Sequence, residues 1–180
     1  MKKITSLLLT LIMCLSLCAC GGNETTDTNE TTETSVEETA DNIELVLNET
    51  YSMPLFDITI TGFDFTDKAS DPSGDGPNIL PKNGYVCANL YYDVKYTGKS
   101  TIDSSYLEPL LLDYNDGYTF LRERFYYYDA AFDAWLNSGD IDPLTDEFSC
   151  KACFFVPEEV RDNEEAPIFI DFEGYTFSPR

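Results

Sequence analysis

The stretch "YVCANLYYDVKY", residues 85–96, alternates over its whole length: Val86, Ala88, Leu90, Tyr92, Val94 and Tyr96 fall on one side, Cys87, Asn89, Asp93 and Lys95 on the other. A repeat of two is the period of a β-strand, whose successive side chains point to opposite faces. The segment therefore predicts a strand with one buried and one wet face, and it sets the class of the fold. On its N-terminal side "FDITITGFDF" (56–65) repeats the pattern, with Phe56, Ile58 and Ile60 set against Asp57, Thr59 and Thr61. On its C-terminal side "YLEPLLLDY" (106–114) and "YTFLR" (118–122) flank Asn115-Asp116-Gly117. Asp-Gly between two apolar runs predicts a hairpin, because glycine tolerates the positive φ of a tight turn. Two further strands are expected in "EFSCKACFFV" (147–156) and "PIFIDFEGYTF" (167–177). Short aromatic and β-branched runs separated by turn signals, roughly six to eight in all, predict an all-β protein, a β-sandwich.

One stretch breaks the period. Leu121, Phe125, Tyr128, Phe132 and Trp135 recur at intervals of three and four, the spacing of one helical face, and Asn137-Ser138-Gly139 reads as a stop. A short helix inserted between strands is expected here, its stripe packed on the sandwich. Tyr126 and Tyr127 lie off that stripe beside Asp129 and Asp133, which marks them as a candidate contact surface.

The N-terminus has its own logic. Lys2 and Lys3 precede an uncharged, mostly apolar run from Ile4 to Ala19, and small residues follow, the layout of a secretory signal peptide. The run is short for a membrane span, which takes about 20 apolar residues. Leu17-Cys18-Ala19-Cys20 resembles the bacterial lipobox, whose last cysteine receives a diacylglyceryl thioether and becomes the mature N-terminus. The resemblance implies a signal peptide over 1–19, lipidation at Cys20, and a protein held on the outer face of the cell membrane. Two acyl chains anchor stably where one does so only marginally. Residues 20–42 are rich in Thr, Glu, Asp and Asn with one branched aliphatic, Val36, too little apolar surface to offset the entropy of ordering. They are expected to form a disordered acidic linker before a domain over 43–180.

The chain carries 33 acidic against 11 basic residues, a net charge of −22, and loss of Lys2 and Lys3 with the signal would take it to −24. A surface this acidic repels nucleic acid and anionic lipid headgroups, and it suits solubility, cationic partners or calcium.

Several features resemble a known family. They are the strand Phe56 to Gly62, the long strand ending Tyr96-Thr97-Gly98, the hairpin over Asp113 to Tyr118, and the strand end Phe154-Phe155-Val156-Pro157. Over roughly 50–177 the sequence resembles the telokin-like, immunoglobulin-fold domain of unknown function found on many Gram-positive lipoproteins. That resemblance implies an immunoglobulin-like sandwich at the cell surface with no shared catalytic residues. The immunoglobulin-like order would also pair 85–96 with 147–156. Alternation turns Cys150 inward and Cys87 and Cys153 outward, so the last two either bridge across the ladder or stay reduced.

Catalytic chemistry is narrowed by what the sequence lacks. With no histidine, Ser-His-Asp and Cys-His catalysis are excluded, and zinc would need thiolates and carboxylates alone. "DPSGDGPN" (71–78) begins like a calcium loop, but the position for the bidentate glutamate is Lys82. Looser acid groupings there or at Asp140, Asp142 and Asp146 read as solvated loops. Cys150-Lys151-Ala152-Cys153 lies within a strand, not at a helix start that would stabilise a thiolate. Glu108 and Asp113 could form a hydrolytic pair, but 33 acids leave nothing to single them out. The expectation is a non-enzymatic binding module without cofactor or metal, held to the membrane by its anchor, with an envelope protein or glycan as partner. The alternative is a carboxylate-dependent glycan hydrolase of the cell surface.

Overall fold

The structure is a computed structural model that describes residues 43–180 apart from Asp146. The signal sequence 1–19, the lipidation site Cys20 and the linker 20–42 lie outside the described residues, as does Asp146 of the acid grouping above.

Strands are β1 (Ile43–Leu45), β2 (Thr50–Ser52), β3 (Phe56–Thr66), β4 (Tyr85–Tyr96), β5 (Ile102–Asp103), β6 (Leu111–Tyr114), β7 (Tyr118–Asp129), β8 (Ala134–Leu136), β9 (Asp140–Ile141), β10 (Phe148–Pro157), β11 (Ile168–Phe172) and β12 (Tyr175–Phe177). A 3-10 turn covers Ser104–Leu107, and the short helix α1 covers Glu158–Asp162. The main strands follow the order β1-β12-β11-β6-β7-β10-β4-β3-β2. Two layers make up this path. The first holds β1, β12, β11, β6 and the start of β7; the second holds the rest of β7 with β10, β4, β3 and β2, while β5 and β9 form a separate pair. The layers share β7, which pairs with β6 through Leu121 and with β10 from Arg122 onward.

Between the layers lies the core that the alternation of β4 predicts. Val86, Ala88, Leu90, Tyr92, Val94 and Tyr96 are all buried in it, facing Leu112, Ile168, Ile170 and Phe172 of the first layer. β3 reaches the same core through a change of phase. An extra residue at Thr61 separates the pairs Ile60–Tyr92 and Gly62–Tyr91, so odd-numbered Phe63 and Phe65 turn inward after even-numbered Ile58 and Ile60. Such a bulge shifts the facing of every later side chain by one. Phe63 and Phe65 then meet edge to face at 5.2 Å between centroids.

The sandwich is as expected, but the helix is elsewhere. Residues 121–136 form the end of β7, a turn and β8, and the pairs Tyr127–Leu136, Tyr128–Trp135 and Asp129–Ala134 make a hairpin. The three-four spacing misleads because its members are not on one face: Leu121 is 78% and Phe132 73% exposed, while Phe125 is buried. A run of Phe-Tyr-Tyr-Tyr beside the free edge of β10 gains more from the β ladder, where aromatic residues pack well. The short helix instead follows Pro157, whose fixed φ suits the residue that starts a helix, and it buries Val160.

The hairpin over 114–118 is present, with Tyr114 opposite Tyr118. Its positive φ values belong to Asn115 (50°) and Asp116 (53°), not to Gly117. Asn and Asp tolerate this region better than other side-chain residues.

Candidate functional site

At one end of the sandwich the two layers part and leave a pocket of about 300 Å3. Three separate segments frame it. The turn Met53–Leu55 into β3 is closed by Met53 N–H donating to Phe56 O at 2.8 Å. The β11–β12 turn is built on Glu173 and Gly174, both at positive φ. The 3-10 turn is capped by Asp103, whose carboxylate accepts from Ser105 N–H at 2.8 Å. That cap holds the Asp103 carboxyl below its usual value, chiefly through the hydrogen bonds to Ser105.

Phe56, Leu110, Phe172 and Tyr175 make the lining mainly apolar. At the rim, Tyr106 is 59% and Leu110 53% exposed; tyrosine is enriched among the residues that anchor contacts between proteins, and the leucine adds apolar area beside it. Glu108 forms an ion pair with Arg122 in the wall. Burial raises the Glu108 carboxyl above its ordinary value, Arg122 pulls it down and Asp103 adds to the rise. Arg122 reaches this side because β7 carries a bulge: Cys153 pairs with Arg124, yet the next residue, Phe154, pairs with Arg122. The arrangement can accept an apolar group beside a neutralised ion pair.

Glu108 and Asp113 do not form a pair. Glu108 belongs to the pocket, whereas Asp113 stands on the outer face of the first layer, in a shallow groove with Asp171, Phe169 and Leu111. Strand register puts Asp113 opposite Phe169 and Leu111 opposite Asp171, so the two carboxylates face each other diagonally. The Asp113 carboxyl is raised, first by partial burial and then by the charge of Asp171.

The expected contact surface at Tyr126 and Tyr127 is not exposed. Tyr127 is 2% exposed and packs in the core against Phe125 and Phe148. Tyr126 is 8% exposed on the opposite face, in a second cluster with Ala69, Cys87 and Cys153. Strand alternation sends these neighbours to opposite faces, and both faces are covered here. The cover over Tyr126 comes from the 67–84 segment, pinned by two Ala69–Ile79 backbone bonds of 2.8 Å, and from Trp135.

Beneath that cover the outer faces of β3, β4, β10 and β7 bring polar side chains together in rows. Asp64, Asn89, Cys153 and Arg124 form one row; Tyr91, Lys151 and Tyr126 form the next. Asn89 donates to Asp64 Oδ1 at 2.8 Å and Thr66 Oγ1 at 3.0 Å, leaving its buried Oδ1 without a donor. Lys151, 5% exposed, donates to Ser70 O at 3.0 Å and lies 5.5 Å from the Tyr91 ring centre.

Cys87, Cys150 and Cys153 are free thiols. Their orientations follow the alternation, Cys150 inward and the other two outward, and β4 does pair with β10. The Cys87–Cys153 bridge is absent, because the register sets Cys87 opposite Phe155 and Cys153 opposite Asn89. A stagger of two residues puts Cα atoms about 7–8 Å apart, beyond the usual span of a disulfide.

The 71–78 loop turns toward the β7–β8 hairpin. Asp71, Ser73 and Asp75 line a shallow depression with Tyr128, Asp133 and Trp135. Tyr128 donates to Asp133 at 2.5 Å. Among the described residues no group of three or more acidic or thiol side chains is placed to hold a metal ion. None of their helices is long and apolar enough to cross a membrane.

With this geometry in view, the fold has solved counterparts. The chain is similar to an uncharacterized β-sandwich protein from Clostridium difficile 630, at 22% identity and a TM-score of 0.63 over 77% of this chain and 95% of that one. The fold is a β-sandwich. A conserved hypothetical protein from Bacillus anthracis is similar at 13% identity and a TM-score of 0.50, over 76% of this chain and 95% of that one. No family model matches the chain, and no curated protein matches its sequence. At these identities the likeness speaks for the fold alone.

The pocket escapes the sequence because its walls come from segments far apart along the chain. One signal was available in the three consecutive leucines 110–112, since a strand buries alternate residues and three in a row cannot all face inward.

Proposed function

We propose that this sandwich is the binding module of a surface lipoprotein, anchored through Cys20 and related to the telokin-like domains its sequence resembles. It takes an apolar side chain of an envelope protein into the pocket at its open end, without catalysis. The observation that carries this reading is the pocket with its exposed Tyr106 and Leu110. A cavity of about 300 Å3 is at the small end of the range for ligand sites and suits one bulky side chain. The wall ion pair is internally neutral, and the lining offers apolar area where binding requires it. The flexible acidic linker expected over 20–42 would let the module search above the membrane.

A photo-reactive residue at position 106 tests the site in intact cells, with one at Leu144, 97% exposed and outside the pocket, as control. A discrete protein adduct from position 106 and none from position 144 is expected. Identical adducts from both, adducts to glycan, or none from position 106 would overturn the assignment. Mass spectrometry of the mature N-terminus tests the anchor, which requires a diacylglyceryl thioether on Cys20.

A further inference from the structure

The covered outer face of the second layer holds two thiols, an orphaned amide oxygen and an ammonium group. We propose that Cys87 and Cys153 form a two-coordinate site for a soft monovalent cation, Cu(I) or its redox-stable counterpart Ag(I), with Lys151 as counter-charge to the bis-thiolate complex.

Three observations converge on this site. The first is spacing: Cys87 and Cys153 share one face of adjacent strands and one buried cluster, staggered by two residues. That stagger is too wide for a direct sulfur–sulfur bond, which needs Cβ atoms about 3.5–4.5 Å apart. A linear sulfur–metal–sulfur link with bonds of about 2.3 Å spans roughly twice that length, which diagonal positions can supply.

The second is charge. Lys151 is buried, donates one hydrogen bond to the Ser70 carbonyl, and has no carboxylate in salt-bridge range among the described residues. A buried charge without an opposite charge is costly. Lys151 shares the outer face of β10 with Cys153, two residues away, and an ordinary thiol is protonated at neutral pH, so neither thiol supplies that charge in the free protein. Binding one cation releases one proton from each thiol. The resulting complex carries one negative charge, and with the Lys151 ammonium the site becomes neutral.

The third is Asn89. Its side chain is fully buried directly across from Cys153 and two residues from Cys87, and its Oδ1 has no donor. It leaves an unpartnered polar atom on the same covered face as the two sulfurs. Thiolates select soft cations such as Cu(I) over hard ones, so calcium and magnesium are excluded from this site.

Titration of the reduced full chain, with Cys14, Cys18 and Cys20 replaced by serine so that only the domain thiols remain, is carried out with Ag(I) under argon and followed by X-ray absorption. The expected result is one ion per chain, two sulfur neighbours and two protons released. Cys87→Ser and Cys153→Ser should each weaken binding at least a hundredfold, whereas Cys150→Ser should leave it unchanged. Lys151→Met should weaken it about tenfold and move the proton-release midpoint to higher pH. Spectroscopy of this parent chain stands even where a serine variant of the domain fails to fold. Coordination by oxygen or by a single sulfur, binding retained in either serine variant that folds, or loss of two hydrogens from the native mass through a disulfide would each overturn the proposal.

Discussion

The Tyr92 hydroxyl donates to the Leu107 carbonyl at 2.8 Å, and both residues are shut off from water. This bond ties the centre of β4 to the 3-10 turn that carries Tyr106 to the rim of the pocket. Tyr92→Phe leaves that carbonyl without a partner, so a loss of about 1–3 kcal/mol is expected in urea unfolding. Faster amide exchange should appear in residues 104–108, and a loss spread evenly over all strands would contradict the link.

Two glycines should differ in their tolerance of alanine. A Cβ on Gly139 would run into the Tyr127 hydroxyl, whose ring is held in the core, and overpacking of this kind costs about 1–3 kcal/mol. A Cβ on Gly62 would meet Tyr91 Cδ2 at 3.5 Å, an ordinary contact. Thermal unfolding should place Gly62→Ala close to the wild type and Gly139→Ala well below it.

The three domain thiols should resist alkylation in the native protein. Burial raises Cys87 to about 11 and Cys153 to about 12 and holds Cys150 well above its ordinary value. The thiolate is the reactive form, so iodoacetamide at about pH 8 should label them only as the fold opens. Because these folded values lie above the unfolded one, the unfolded chain loses its thiol protons first as pH rises. Stability should therefore fall above about pH 9. Rapid labelling of any of the three without denaturant would count against their burial.

Asp113 should work against stability at neutral pH. Its folded value is raised, so its proton is held more tightly in the native state, and its effect becomes unfavourable as pH rises through the carboxylate range. Asp113→Asn is expected to unfold at higher urea than the wild type at pH 7, with the advantage vanishing below about pH 3.8. An advantage that grows on acidification would contradict the upward shift that burial, and then Asp171, give Asp113.

Much of the architecture was legible because β4 is so regular: its period-two pattern gave the buried face and, with β10, the facings of Cys87, Cys150 and Cys153. The fault at 121–136 came from periodicity without burial, since Leu121 and Phe132 of the supposed stripe face water. Tyr126 and Tyr127 read as a contact surface only on a helix; on a strand with both faces covered, each is hidden on its own side. The bulge at Thr61 leaves only the adjacent Gly62 as a trace in the sequence, yet it decides where Phe63 and Phe65 point. Cys87 and Cys153 could be assigned a common face from alternation, but their offset depends on register, which local pattern does not determine.

β7 belongs to both layers, and that has a thermodynamic consequence. Neither sheet can come apart alone: losing the first strips β7 of β6, losing the second strips it of β10, and either leaves the same strand half supported. Melting should thus be all-or-none for the whole domain, with one transition seen by probes in either layer.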